Sequence, residues 1–171
     1  MLMYNSNLNH RTFIETFGQV KFLSCIITNK KGAWIKIRAT YRCHDLKKDV
    51  FINNLEQFLI SNKNFNNHFL AGNFNFDLLK DNDHSTDPFL GHFLERECIP
   101  NFSTITRSND HGGGSCIDNF FSKTNLKTNA HKLLFKITDH YPLFLHINFE
   151  NTDYLETTQF KVVPASSLLK N

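Results

Sequence analysis

From Ala33 to Tyr41 the chain alternates without interruption. Trp34, Lys36, Arg38 and Thr40 fall on one side of an extended backbone and Ile35, Ile37, Ala39 and Tyr41 on the other, as a half-buried strand requires. A hairpin-type turn, Asn29-Lys30-Lys31-Gly32, feeds this strand from an earlier one at Val20 to Thr28, and Thr12 to Phe17 reads as another ahead of Gly18. Beyond Tyr41 the period changes. Phe51, Ile52, Leu55, Phe58 and Leu59 follow helical spacing between Leu46 and Asn62, with Lys47, Asn54, Gln57 and Ser61 on the polar face. An apolar strand at 68 to 72 comes next, then a polar stretch from Lys80 to Thr86. Asp87-Pro88 has the form of an N-cap followed by proline at the first helical position, and Phe89, Leu90, Phe93 and Leu94 give that second helix its buried stripe. Further strands are expected at Phe102 to Thr106, Ser115 to Phe121, Lys132 to Ile137 and Leu143 to Phe149. Many strands with only two clear helices imply sheet-on-sheet packing with helices outside.

At 171 residues, 40% hydrophobic and 20% charged, the chain can bury one sizeable core, so a single domain over residues 1–150 is expected, with 151–171 a tail or linker. The 18 Phe, among abundant Asn and Lys, look as much like an AT-rich coding sequence as a physical requirement. A net charge of +3 is compatible with a polyanionic partner, although no block of like charge concentrates it. Cys25, Cys43, Cys98 and Cys116 are scattered, without C-x-x-C or finger spacing, which signals neither zinc nor a disulfide framework and fits a reducing compartment. Met1 to Asn7 lack the basic and apolar regions of a secretion signal, and no run of 18 apolar residues occurs. A nuclear or cytoplasmic protein, neither membrane-spanning nor secreted, is the expectation.

Polar groups gather at the ends of the apolar strands, where a side chain can be held rigidly at the rim of a core that substrate still reaches. Tyr41-Arg42 follows one strand, and Asn73 and Asn75 follow the next. Asp118 lies within Ser115-Cys116-Ile117-Asp118-Asn119, and Thr138-Asp139-His140 precedes Tyr141-Pro142-Leu143. An acid in an apolar strand needs a partner, and His140 is the natural one for Asp118; a structural ion pair would satisfy the same requirement. Taken alone, Asp139-His140 before Tyr-Pro also reads as a turn. Other groupings lead nowhere. Gly112-Gly113-Gly114-Ser115 is followed by no Gly-Lys-Ser/Thr and reads as a flexible turn. Ser115, His140 and Asp118 lack a nucleophile elbow. Asp77, Asp81 and Asp83 lack the glycine and glutamate of a calcium loop, and His84, His92, His111 and His131 read as solvent-facing or loop residues.

In their order, Tyr41-Arg42, Gly72-Asn73-Phe74-Asn75-Phe76-Asp77-Leu78-Leu79, Ser115-Cys116-Ile117-Asp118-Asn119 and Thr138-Asp139-His140-Tyr141-Pro142-Leu143 resemble the endonuclease/exonuclease/phosphatase superfamily. The resemblance is in particular to the apurinic-type endonuclease domain of non-LTR (LINE-like) retrotransposons, and it covers roughly Phe13 to Asn148. It implies an α/β fold, a four-layer α/β/β/α sandwich, with a divalent-metal site at the rim and DNA as substrate. By that resemblance Tyr41, Arg42 and Thr138 contact phosphate, Asn75 orients the scissile group, Asp118 pairs with His140, and Asp139 helps hold Mg²⁺.

Two departures shape the functional expectation. Position 73, where the family pattern Gly-Asp-Phe-Asn has a proton-handling aspartate, is Asn73, and an amide accepts no proton at neutral pH; losing a general acid or base costs on the order of 10² to 10⁴ in rate. Family members also open with strands bearing a metal-binding asparagine and glutamate, and this chain starts downstream of both. Glu15, the one acid before Tyr41, sits in an alternation that reads as a strand's solvent face. The expectation is a truncated remnant, its opening strands missing, with cleavage weak or lost and a reverse-transcriptase domain encoded downstream in the parent element. The alternatives are a non-catalytic nucleic-acid-binding module using Arg38, Arg42 and Arg107, and a phosphatase or lipid phosphodiesterase relative.

Overall fold

The computed structural model of the chain describes residues 8–63, 66–80, 84–109, 112–135 and 138–149. The N-terminal residues Met1 to Asn7, Asp81, Asp83, His111, the last two residues of the strand expected at Lys132 to Ile137 and the tail from Asn151 lie outside the described residues.

The main sheet has six strands in the order β1-β2-β3-β4-β8-β5. Strands β1 (Asn9–Phe17), β2 (Val20–Thr28) and β3 (Trp34–Tyr41) form an antiparallel meander. Its first turn bends at Gly18, whose φ of 55° suits a residue without Cβ and whose open side is filled by Asn54. Helix α1 (Lys48–Ser61) then crosses over so that β4 (His68–Asn73) runs parallel to β3, as a helical connection between neighbouring strands requires. Helix α2 (Thr86–Leu94) leads to the two-residue strand β5 (Ile99–Pro100). A small pair, β6 (Arg107–Ser108) with β7 (Gly114–Ser115), precedes β8 (Asp118–Lys123), which runs antiparallel to β4. Strands β9 (Thr128–Lys132) and β10 (Leu143–Ile147) make a separate two-stranded ribbon.

One face of the sheet is covered by α1 and α2 through a cluster in which phenylalanine dominates. Phe22, Phe51, Phe58, Phe74, Phe76, Phe89, Phe93 and Phe121 are all essentially buried with Leu55 and Leu70. Phe22 stacks on Phe58 at 4.0 Å, Phe76 on Phe89 at 4.2 Å and Phe93 on Phe121 at 3.7 Å between ring centroids. The phenylalanines are therefore the material of the core and more than a trace of codon bias. On the other face Cys25, Ile27, Ile35 and Phe69 are buried beneath Leu145 and Ile147 of β10, with Leu126 and Ile37 at the margin.

Strand β3 alternates as expected, but its lysine and arginine lie inward. Lys36, Arg38 and Thr40 are buried while Ala39 and Tyr41 on the opposite side are exposed. The cations are tolerated because Glu15 faces them from β1, and here the solvent-face reading of Glu15 is overturned. Its carboxylate accepts from Arg38 Nε at 2.8 Å and Lys36 Nζ at 3.0 Å, and from the Ser24 hydroxyl. A guanidinium at 0% exposure is affordable only when paired and hydrogen-bonded. Burial raises the Glu15 carboxyl, yet the bonds from Arg38, Ser24 and Lys36 outweigh it and bring the pKa down to about 2.

Candidate active site

The parallel pairing of β3 with β4 and the antiparallel pairing of β4 with β8 bring three polar residues to one rung. Tyr41 is in register with Asn73, and Asn73 with Asp118. By the period-two rule all three share the face that meets the ribbon. The loop entering β10 then supplies Thr138, Asp139 and His140, and an isolated bridge between His140 and Arg107 ties that loop to β6.

His140 Nδ1 lies 2.7 Å from Asp118 Oδ2. A carboxylate accepts, so Nδ1 is the donor, and in the tautomer this selects the lone pair lies on Nε2. Burial pushes the Asp118 carboxyl above its ordinary range, against the bonds from His140 and Thr106. Thr106, wholly buried, is the residue that sequence reasoning missed. Its Oγ1 lies 3.2 Å from Asp118 Oδ2 and accepts the Ile117 and Asp118 amides at 3.1 Å each, so one hydroxyl fixes both the carboxylate and the backbone behind it. No local motif marks it; it reads as the end of an ordinary strand.

Asp139 is engaged by Arg107, whose Nε donates to Oδ2 at 2.7 Å, while Oδ1 is 3.9 Å from His140 Nε2. The Arg107 hydrogen bond holds the Asp139 carboxyl below its usual value. Thr138 Oγ1 accepts the His140 amide at 3.1 Å and so sets the turn that presents the imidazole.

Around position 73 the amides serve the backbone. Asn73 Oδ1 accepts from Asn75 N at 3.1 Å, and Asn75, left-handed at φ 56°, donates from Nδ2 to Arg42 O at 2.7 Å. Arg42 is nearly buried, with its guanidinium over the Phe76 ring, and donates to Phe74 O at 2.8 Å, Leu46 O at 2.7 Å and Asn75 O at 3.2 Å. Arg42 and Asn75 thus clasp each other's main chain and brace the loop after β4. Tyr41 stands 59% exposed at the rim. Of the arginines considered for phosphate, Arg38 is sealed beneath α1 and cannot serve; Arg107 is the exposed one, and it faces Asp139.

The donors present do not make a magnesium site. Mg²⁺ takes near-octahedral oxygen coordination, but the candidate carboxylate, Asp139, is bound to Arg107. Among the described residues no group of three or more His, Cys, Asp or Glu could hold a metal ion. The arrangement can hold and exchange a proton at His140 Nε2, orient that imidazole through Asp118, and offer Tyr41 and Arg107 at the rim.

Solved structures with this architecture have been found by comparison of folds. The endonuclease domain of TRAS1, a telomere-specific non-LTR retrotransposon, aligns with a TM-score of 0.63 and 14% identity over 86% of this chain and 72% of that one. TDP2 of D. rerio, complexed with single-strand DNA product, aligns with a TM-score of 0.56 and 12% identity over 84% and 69%. The fold is thus mixed α/β, mostly sheet, and shared with these two structures. No family model and no curated protein sequence matches the chain.

Proposed function

We propose that this chain is a retrotransposon-type endonuclease domain whose ancestral reaction, metal-dependent cleavage of DNA phosphodiesters, is reduced to little or nothing. One observation carries the reading: the proton-handling pair is assembled while the groups that would work with it are diverted. His140 keeps Asp118 at 2.7 Å, but Asp139 is bound to Arg107 and position 73 holds an amide whose oxygen caps the Asn75 backbone.

The residues divide the remaining work in a definite way. Asp118 fixes the His140 tautomer and stabilises the imidazolium formed when Nε2 takes a proton. Thr106 holds Asp118, and Thr138 holds the His140 main chain. In this reading Tyr41, and Arg107 on leaving Asp139, meet a phosphate oxygen. Among the described residues of the site, position 73 offers no second group to move a proton and Asp139 is not free for a cation. In this reading the polyanionic partner is DNA, the parent element supplies a reverse transcriptase, and the compartment is nuclear or cytoplasmic. Among the described residues no helix is long and apolar enough to cross a membrane.

The test is purified protein with nicked, abasic and AT-rich plasmid in Mg²⁺. The expected result is no cutting above that of His140→Ala, alongside salt-dependent DNA binding. Metal-dependent cutting by the unmodified chain that His140→Ala abolishes would overturn the proposal.

A further inference from the structure

His68 opens β4 at the end away from Asn73, about 16 Å along the strand at about 3.3 Å per residue. Its side chain is buried at 4% exposure, lies edge-on to Phe58 with centroids 5.8 Å apart, and has an Nε2 without a hydrogen-bond partner among the described residues. Buried polar atoms are rarely left so, and each one asks for an explanation. His68 lines a cavity of about 300 Å³ whose charged lining is Lys63, Arg96 and Lys123 against Glu95 and Glu97, with Leu59, Asn62 and Cys98 beside them. A volume of that order is at the small end of ligand sites.

Three cations against two carboxylates leave the lining with a small excess of positive charge. Burial, then Arg38, Lys36 and Lys123, pull the His68 pKa down to about 3, with only Glu15 opposing among the charges that act on it. The ring is therefore neutral in a positive potential, free to carry its proton on Nε2. Asn62 is committed, accepting from Arg38 and donating to Phe58 O at 2.7 Å. Lys123 is held by Glu97 at 3.0 Å, but that carboxylate is 78% exposed at the rim, so the pairing is weak and exchangeable. Glu97 itself is left-handed at φ 59°; with Asn75 it is one of two such non-glycine residues among those described. Strained backbone of this kind concentrates at binding sites.

We propose that this cavity binds a phosphate-type oxyanion, free or as the monophosphate of a nucleotide, with His68 Nε2–H, Lys63 and Lys123 as donors. Leu59 and Cys98 form the apolar wall for whatever carries the phosphate. The site is separate from the His140 rim and does not depend on its activity.

Isotope-labelled full-length protein titrated with inorganic phosphate, with adenosine monophosphate, and with chloride at matched ionic strength tests this by NMR. Saturable shifts of the His68 ring nitrogens and of the Lys63 and Lys123 amides are expected with phosphate and not with chloride. Affinity should fall roughly tenfold in His68→Phe, as for loss of one hydrogen bond to a charged group, and severalfold in Lys63→Ala, an exposed position where folding is not at risk. Tighter binding of the monophosphate identifies a nucleotide as the source, and equal or weaker binding identifies the free anion. The proposal is overturned if neither compound shifts these signals beyond chloride, or if both variants bind as the unmodified protein does.

Discussion

Replacing Glu15 gives the sharpest test of how this fold is held together. Its carboxylate neutralises Lys36 and a fully buried Arg38 from the edge strand β1. The fall from an ordinary 4.5 to about 2 corresponds to roughly 3 kcal/mol at about 1.4 kcal/mol per unit. Because the side chain keeps 19% exposure, solvent screening reduces the charge contribution to about 2 kcal/mol. Glu15→Gln, which retains a hydrogen-bond acceptor, should therefore cost about 2 kcal/mol. Glu15→Ala also strands the guanidinium and should cost about 3 kcal/mol, the low end for breaking a buried pair. At about 3 °C per kcal/mol for a chain of this size, Glu15→Ala lowers Tm by roughly 10 °C in a circular-dichroism melt. The pH dependence follows from a depressed carboxyl: the contribution is complete above about pH 4.5 and is lost as pH falls toward 2. Urea melts across that window should show a steeper slope in the unmodified protein than in Glu15→Gln, where the contributions of His68 and Asp139 remain. Changes below about 0.5 kcal/mol in both variants, the range of ordinary surface positions, would refute the reasoning and return Glu15 to the solvent.

Asn73→Asp should not restore cleavage, and the carboxylate it places opposite Asp118 should cost about 0.2–1 kcal/mol in a urea melt as a like-charge cross-strand pair; metal-dependent cutting recovered by that change alone defeats the reading of the site. Gly72→Ala should destabilise by roughly 1–3 kcal/mol, because a Cβ there meets the Thr40 carbonyl of β3, and an unaltered melt would show that the strands part freely. His68, held neutral to about pH 3, must take up a proton on unfolding, so stability should fall as pH drops from about 6.5 toward 3. His68→Phe should flatten that part of the curve, and an unchanged profile would deny that this histidine is responsible.

The elements carried by hydropathy alone were legible. The run Val20 to Thr28 is β2 residue for residue, and the helix expected within Leu46 to Asn62 is α1 at Lys48–Ser61. Failures came where side chains replace the backbone ladder. Phe102 to Thr106 is not a strand, because Asn119 Oδ1 accepts the Asn101 and Phe102 amides and its Nδ2 donates to Phe102 O. The strand expected over Ser115 to Phe121 breaks at Cys116 and Ile117, whose amides go to Asp77 Oδ1 and Thr106 Oγ1. Helix α2 starts at Thr86 rather than after Asp87, which puts Pro88 third in the first turn, where the missing N–H still costs nothing. At the site, the pairing of Asp118 with His140 could be anticipated from the cost of burying an acid. The engagement of Asp139 by Arg107 could not, since the two meet only through the bridge between β6 and the loop before β10. The inward turn of Lys36 and Arg38 was equally hidden, because alternation reports a period and leaves open which face is covered.

The buried cations of β3 also act as a proofreading device for the sheet edge. A slip of β1 by one residue against β2 turns Glu15 to the opposite face and takes its countercharge from the buried Lys36 and Arg38. A foreign strand that displaced β1 would meet the same demand, since it must bring a carboxylate to that rung. Edge strands invite indiscriminate pairing, and this one is keyed by charge, so only a partner with an acid at the matching position can close the meander.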